Sequence, residues 1–330
     1  MAKTVAEDYA ELYHYTTAKG LHGIITSQYL RATNISFLND AAERIHYFDR
    51  RLSAVLERAV RHGFDELVKV PDSLARIEQN GGYEKAVTES LNGLYSKIRE
   101  ITILFDEPYV VSFCGTKDPK IARDGLLSQW RAYGADGGYA IVFDTNELDL
   151  LLKEEFEKYL YLTSRYGDVN YYDDENSDAQ MPDDFQESEE VLKSSIVSFL
   201  KTSNAEELEP VFDQINLLSC LTKHWGFHEE KEVRIVAICG TDTTIEELRN
   251  SGETRPVRSV NHYSRSGLLV PFIRLFEGIT ALPDKKLPIK SIIVGPHPDK
   301  EIRKKSVDLL LKQQGISAKV TVSDIPYLPR

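Results

Sequence analysis

"ELYHYTTAKGLHGIITS", residues 11–27, reads as a β-strand that runs directly into an α-helix. Leu12, Tyr13, His14, Tyr15 and Thr16 are strand formers, and Leu21, Ile24 and Ile25 recur at helical spacing. Alternation along the strand sends Tyr13 and Tyr15 to one face and His14 to the other. Either the imidazole meets a cleft while its neighbours anchor the strand, or it is a satisfied core histidine.

Short strands and helices continue along the chain. ATNISFLND (32–40) predicts a second strand ending in a polar turn, and AAERIHYFDRRLSAVLERAV (41–60) has helical periodicity. Residues 72–104 read as mainly helical, with a break near Gly81 and Gly82, and Pro108 opens a short buried strand at 109–114. GLLSQWRAYGADGGYAIVFD (125–144) divides into helix, glycine turn and strand, and the next helix runs to about Tyr159 from a cap at Thr145 or Asn146. GDVNYYD (167–173) is strand-like, helices fill 188–225, and EKEVRIVAIC (230–239) is a buried strand. Strands at 267–276, 290–295 and 318–324 follow, with an amphipathic helix at 299–315 closed by Gly315. The order predicts one α+β domain over residues 1–330: a mixed central sheet with helical insertions at about 41–107 and 145–225.

With 42% hydrophobic and 28% charged residues, the chain has the composition of a folded domain. Its net charge of −12 argues against general attraction to nucleic acid or anionic membranes. Three cysteines without CxxC spacing fit a reducing compartment, and the absence of a signal-like or membrane-spanning run leads to the expectation of a cytoplasmic protein. The acidic stretch 173–190 is a solvated loop or a flap that repels anions. Residues 254–274 carry Arg255, Arg258, Arg265 and Arg274 without an acid, which suits either phosphate binding or pairing with that acidic stretch.

No GxxxxGK[ST], GxGxxG or GxSxG motif is present. In HWGFHEEKE (224–232), His224 and His228 have helical i, i+4 spacing, but HExxH is missing, and Trp225 and Phe227 read as core. Cys114, in an apolar strand, reads as a packing residue rather than a nucleophile.

Four stretches combine polar groups with rigid surroundings: YHYT (13–16), FLND with Glu43 (37–43), SQWRAYG (128–134) and EEKEVRIV (229–236). In the last, a two-residue period puts Glu230, Glu232 and Arg234 on one face and Val233 and Ile235 on the other. That polar face either lines a cleft or forms a salt-bridged sheet, with Glu232 paired to Arg31 or Arg131.

Together the motifs LYHYT (12–16), FLND with Glu43, WRAYGADGGYAIVFD (130–144), EKEVR (230–234), IKSIIVGP (289–296) and SDIPY (323–327) resemble a widespread bacterial family of unknown function. The opening strand and the ExExR strand also resemble the ADP-ribosyltransferase fold. That resemblance implies NAD as substrate and a strand histidine, His14, on the nicotinamide ribose, with Thr16 beside it. It implies a catalytic glutamate at Glu232 or Glu230, and a ring, Tyr133 or Tyr139, stacked on nicotinamide. Tyr15, Asn39 and Trp130 join the expected nucleotide site, with Arg31, Arg131 and Arg234 as phosphate partners. The expectation is an NAD-consuming transferase acting on protein or nucleic acid, a toxin-type effector in bacterial defence or conflict. Two alternatives stand beside it: a nucleic-acid hydrolase holding Mg²⁺ on Asp40, Glu43 and Glu232, and a non-catalytic ligand sensor.

Overall fold

The computed structural model describes residues 4–38, 52–104, 108–133, 137–172, 183–284 and 286–327. The opening motif folds as its pattern predicts. Strand β1 (Glu11–Thr16) buries Leu12, Tyr13 and Tyr15, and the helix Ala18–Ser27 buries Leu21, Ile24 and Ile25. Thr17 caps that helix by accepting a hydrogen bond from the Gly20 amide at 3.2 Å, and the helix stops where Gln28 turns left-handed at φ 55°. A side chain at position 20 would fall 2.0 Å from Thr16 Oγ1, so only glycine lets the helix pack this close to its strand.

β1 is joined in one ten-stranded sheet by β2 (Leu30–Asn34), β3 (Tyr109–Gly115), β4 (Tyr139–Asp144), β5 (Thr163–Asp168) and β8 (Glu232–Ile238). The rest of that sheet is β9 (Asn261–Arg265), β10 (Leu268–Leu275), β11 (Ile289–Val294) and β12 (Lys319–Val322). β6 (Asn170–Tyr172) and β7 (Thr222–His224) form a separate parallel pair. The path through the sheet runs β12-β11-β4-β1-β3-β2-β10-β9, and β8 then β5 attach to the other edge of β3. β11 and β12 are parallel, linked by the helix Lys300–Gln313, whereas the other pairs in this sheet are antiparallel. The architecture is α+β with a mixed sheet.

One sheet face carries Leu12, Phe113, Ile141, Phe143, Val233 and Ile235 and packs under the helices Ala18–Ser27, Thr145–Lys158 and Lys300–Gln313. The opposite face is divided. Over β3 and β8, Val110, Val236 and Ile238 meet the helices Ser53–Leu67, Asp183–Thr202 and Glu209–Cys220. Over β1 and β4, Tyr13, Tyr15, Ala140 and Val142 meet Trp130 of the helix Leu127–Tyr133. Polar residues of β3 and β8 occupy the seam between these two apolar clusters, and that seam positions the site.

Four expectations need correction. The second strand ends at Asn34, whose side chain accepts from the Ser36 amide and turns the chain into a 3₁₀ helix, Ile35–Phe37. The region 145–225 is not purely a helical insertion, because β5 pairs along β8 within the main sheet. Glu230 does not lie on β8: it ends the 3₁₀ helix Trp225–Glu230, and Lys231, at φ 47°, breaks the two-residue period. Trp225 and Phe227 are not core; Trp225 is 52% exposed and stacks on His228 with ring centroids 4.3 Å apart. Among the described residues no helix is long and apolar enough to cross a membrane.

Candidate active site

The sheet forks at β3. β1 pairs with the end of β3 (Leu12 with Gly115, Tyr13 with Cys114), and β2 pairs with its beginning (Thr33 with Val110, Asn34 with Tyr109). β8 holds the other edge of β3 from Tyr109 to Cys114. β1 and β2 therefore share one edge and diverge around Ser112, which has no strand partner on that side. The gap opens a cavity of about 400 Å³ whose walls come from both sheet faces, including Val111 and Phe113 from one and Ser112, Cys114 and Glu232 from the other.

His14 fills part of the gap. Its Nδ1 lies 2.9 Å from the Ser112 carbonyl oxygen, and its ring meets Phe113 edge-on at 5.7 Å. A carbonyl only accepts, so Nδ1 carries the proton and Nε2 keeps its lone pair. Burial pushes the imidazole pKa below its ordinary value, and the Ser112 carbonyl offsets part of that shift. His14 is a neutral hydrogen-bond acceptor at physiological pH.

Glu232, 7% exposed, sits across from His14 in the same cavity. Register puts its side chain in one row with Cys114 and Tyr13, on the sheet face opposite to that of His14, so the two line the cavity from either side of the gap. Arg234 grips the carboxylate with two hydrogen bonds, Nε to Oε1 at 2.7 Å and Nη2 to Oε2 at 3.0 Å. Lys223, only 1% exposed, stands 3.3 Å from Oε2, and the Ser112 hydroxyl adds a further hydrogen bond. Burial would raise the Glu232 pKa, but Arg234, Lys223 and Ser112 outweigh it and hold the value at about 2. The Glu232 amide donates to the Tyr171 hydroxyl at 2.8 Å, which pins the start of β8. Lys223 also bonds Glu230 at 2.6 Å, so a buried cation reunites the two acids that the turn at Lys231 separates.

Of the expected site residues, His14, Tyr15, Thr16, Arg31, Tyr133, Glu230, Glu232 and Arg234 line this cavity. Tyr15 does so as an anchor: its hydroxyl accepts from the Leu126 amide at 2.7 Å and its ring meets Trp130 at 4.8 Å. Trp130, Tyr139 and Arg131 do not reach the cavity. Trp130 is buried with its indole N–H on the Asp124 carbonyl, Tyr139 packs in the core, and Arg131 lies over Tyr327. Asn39, Asp40, Glu43 and most of 173–190 lie outside the described residues. The salt-bridge partners of Glu232 are Arg234 and Lys223, not Arg31 or Arg131. Within the arginine-rich segment, Arg255 pairs with Glu253, Arg258 with Glu155 and Arg274 with Glu277.

The sequence reading missed Ser112, Lys223 and Lys19, and it named Arg265 only within the arginine-rich segment. Ser112 left a trace, as the one polar residue in YVVSFC, whereas Lys223 in LLSCLTKHW gave no sign of burial. Cys114 is buried and its thiol pushed up to about 12, mainly by burial, as a packing residue requires. A larger cavity of about 670 Å³ lies beyond β5 around Asp149, Tyr166 and Asp168, but it contains neither His14 nor Glu232. Among the described residues no three His, Cys, Asp or Glu side chains are placed to hold a metal ion.

Neither the curated proteins nor the solved structures contain a significant match to the chain. A model of one family, described as a protein of unknown function (DUF2971), matches residues 129–235, the span that supplies Gln129, Tyr133, Lys223, Glu230, Glu232 and Arg234 to the site.

Proposed function

We propose that the fork cavity binds NAD and that the protein breaks its nicotinamide–ribose bond, as an ADP-ribosyltransferase-like enzyme. The observation that carries this reading is that a neutral imidazole and an ionised carboxylate line one cavity, from the two faces of the sheet, where two strands part. The forked sheet, with a histidine on its first strand and a glutamate on a later one, also supports the transferase-like fold.

The chemistry follows from charge. As the bond from the ribose carbon to the ring nitrogen breaks, its electron pair leaves with nicotinamide and the sugar becomes oxocarbenium-like. Water or an acceptor nucleophile on protein or nucleic acid then bonds to that carbon and loses its proton. Nε2 of His14 accepts a hydrogen bond from a ribose hydroxyl and fixes the sugar. Glu232 accepts from another hydroxyl and faces the developing cation with a preorganised carboxylate. Arg234 and Lys223 offset part of that charge but set its position. Tyr133 offers a ring for nicotinamide and Glu230 stands nearer solvent.

Chromatographic assay of nicotinamide release from NAD, with and without cell extract, tests the reading. Activity lost in both Glu232→Gln and His14→Ala, with folding verified by circular dichroism, is the expected result. Absence of NAD turnover and of NAD binding in the folded wild type overturns it.

A further inference from the structure

The charges around the fork cavity fall into two sets. Deep inside, Glu232 is neutralised by Arg234 and Lys223, and Glu230 by Lys223. At the opening, Lys19, Arg31 and Arg265 line the cavity, and among the described residues none of them pairs with a carboxylate. Among the described residues the charge left without a carboxylate partner at this opening is positive, in a chain whose net charge is −12.

Arg31 is placed against the grain of its own sheet. It lies directly opposite Arg274 on β10, a like-charge pair that destabilises a sheet unless something compensates it. Arg274 has its own acid, Glu277, at 2.8 Å, and among the described residues Arg31 pairs with no carboxylate. Instead the Arg31 guanidinium rests 5.2 Å from the Tyr263 ring centroid and 5.1 Å from that of Phe272. Those contacts hold the planar fork in place before any ligand arrives, which lowers the entropy lost on binding. Arg265 is fixed too, through a hydrogen bond to the Phe37 carbonyl. Lys19 sits in the first turn of the helix Ala18–Ser27, whose N-terminal end faces the same opening and adds partial positive charge.

Resting on the NAD reading, we infer that Arg31, Lys19 and Arg265 form a diphosphate subsite at the mouth of the cavity. A dinucleotide presents a phosphate pair there while its ribose reaches inward to His14 and Glu232. Arginine suits the task because its fork binds two phosphate oxygens at once. The substrate class is therefore a diphosphate-bridged nucleotide, and phosphate-free nucleosides lose this contact.

Calorimetry on the full chain tests the subsite with three probes: inorganic pyrophosphate, NAD and nicotinamide riboside, which has no phosphate. Arg31→Ala should weaken pyrophosphate and NAD about tenfold or more and leave nicotinamide riboside unchanged. Arg61→Ala, which removes an equal charge outside the cavity, should leave all three unchanged. Undetectable pyrophosphate binding to the wild type, or equal losses in the two variants, overturns the subsite. If pyrophosphate binds through Arg31 but nicotinamide is never released, the subsite stands and the proposed reaction falls. If NAD turns over with the same KM in Arg31→Ala, the subsite falls and the reaction stands.

Discussion

Glu232 is the most tightly determined side chain of the site, and its ionisation couples the site to stability. In the unfolded chain it titrates at 4.5, and in the folded protein at about 2. Below pH 4.5 the unfolded state therefore binds more protons than the folded one. The resulting stabilisation, roughly 3 kcal/mol, is complete above about pH 5 and is lost as the pH falls from there toward 2. Urea unfolding at stepped pH should show this loss, and in Glu232→Gln the acid-dependent component should shrink by that amount. Glu232→Gln should also lower stability at pH 7 by about 3 kcal/mol, because Arg234 stays buried without its partner charge and Lys223 keeps only Glu230. His14 behaves in a related way. Its NMR titration midpoint should lie below 6.5, since enclosure disfavours the imidazolium. A midpoint above 6.5 would mean that a nearby acid, not burial, governs the ring.

The fork itself is a property of β3. Strand geometry points the N–H and C=O of one residue to the same side, and the Ser112 carbonyl points at His14. The Ser112 amide therefore faces the gap, whereas the main chains of Val111 and Phe113 turn toward β8. Hydrogen exchange should find Ser112 faster than both neighbours, and a saturating cavity ligand should slow it. Equal protection at all three positions would show that the fork is closed in solution. The 3₁₀ segment Trp225–Glu230 carries a second element-level signature. Trp130 is 1% exposed and Trp225 is 52% exposed, so acrylamide should quench one tryptophan component, and Trp225→Phe should remove it.

Across the molecule, the helices on the two sheet faces meet the sheet through separate clusters. Glu155 and Arg258 form a buried polar contact that ties distant parts of the chain together. The Glu155 carboxylate, 0% exposed, accepts from Arg258 Nε at 2.7 Å, the Tyr161 hydroxyl at 2.6 Å and the Phe276 amide at 2.9 Å. It links the helix Thr145–Lys158 to the end of β10, and neither residue lines the fork cavity. Arg258→Ala should cost about 3 kcal/mol in chemical denaturation, because it leaves a buried carboxylate without its cation. Ligand binding at the fork should be unaffected. The match of residues 129–235 to a family model takes in one wall of the cavity and leaves out His14 and Arg31, so the site joins segments inside and outside that span.

Periodicity made the strands and helices legible: LYHYT, YVVSFC, AIVFD and VRIVAI alternate or run apolar because each is buried on one or both faces. It also exposed His14 and Glu232, since a polar residue inside such a run has to meet a cavity or a partner. It failed at Glu230, where one left-handed residue, Lys231, ends the strand and no local pattern marks the break. The burial of Lys223 and the solitary edge position of Ser112 were equally hidden. Both depend on which strands become neighbours, a matter of pairing between segments scores of residues apart, and local spacing holds no record of it.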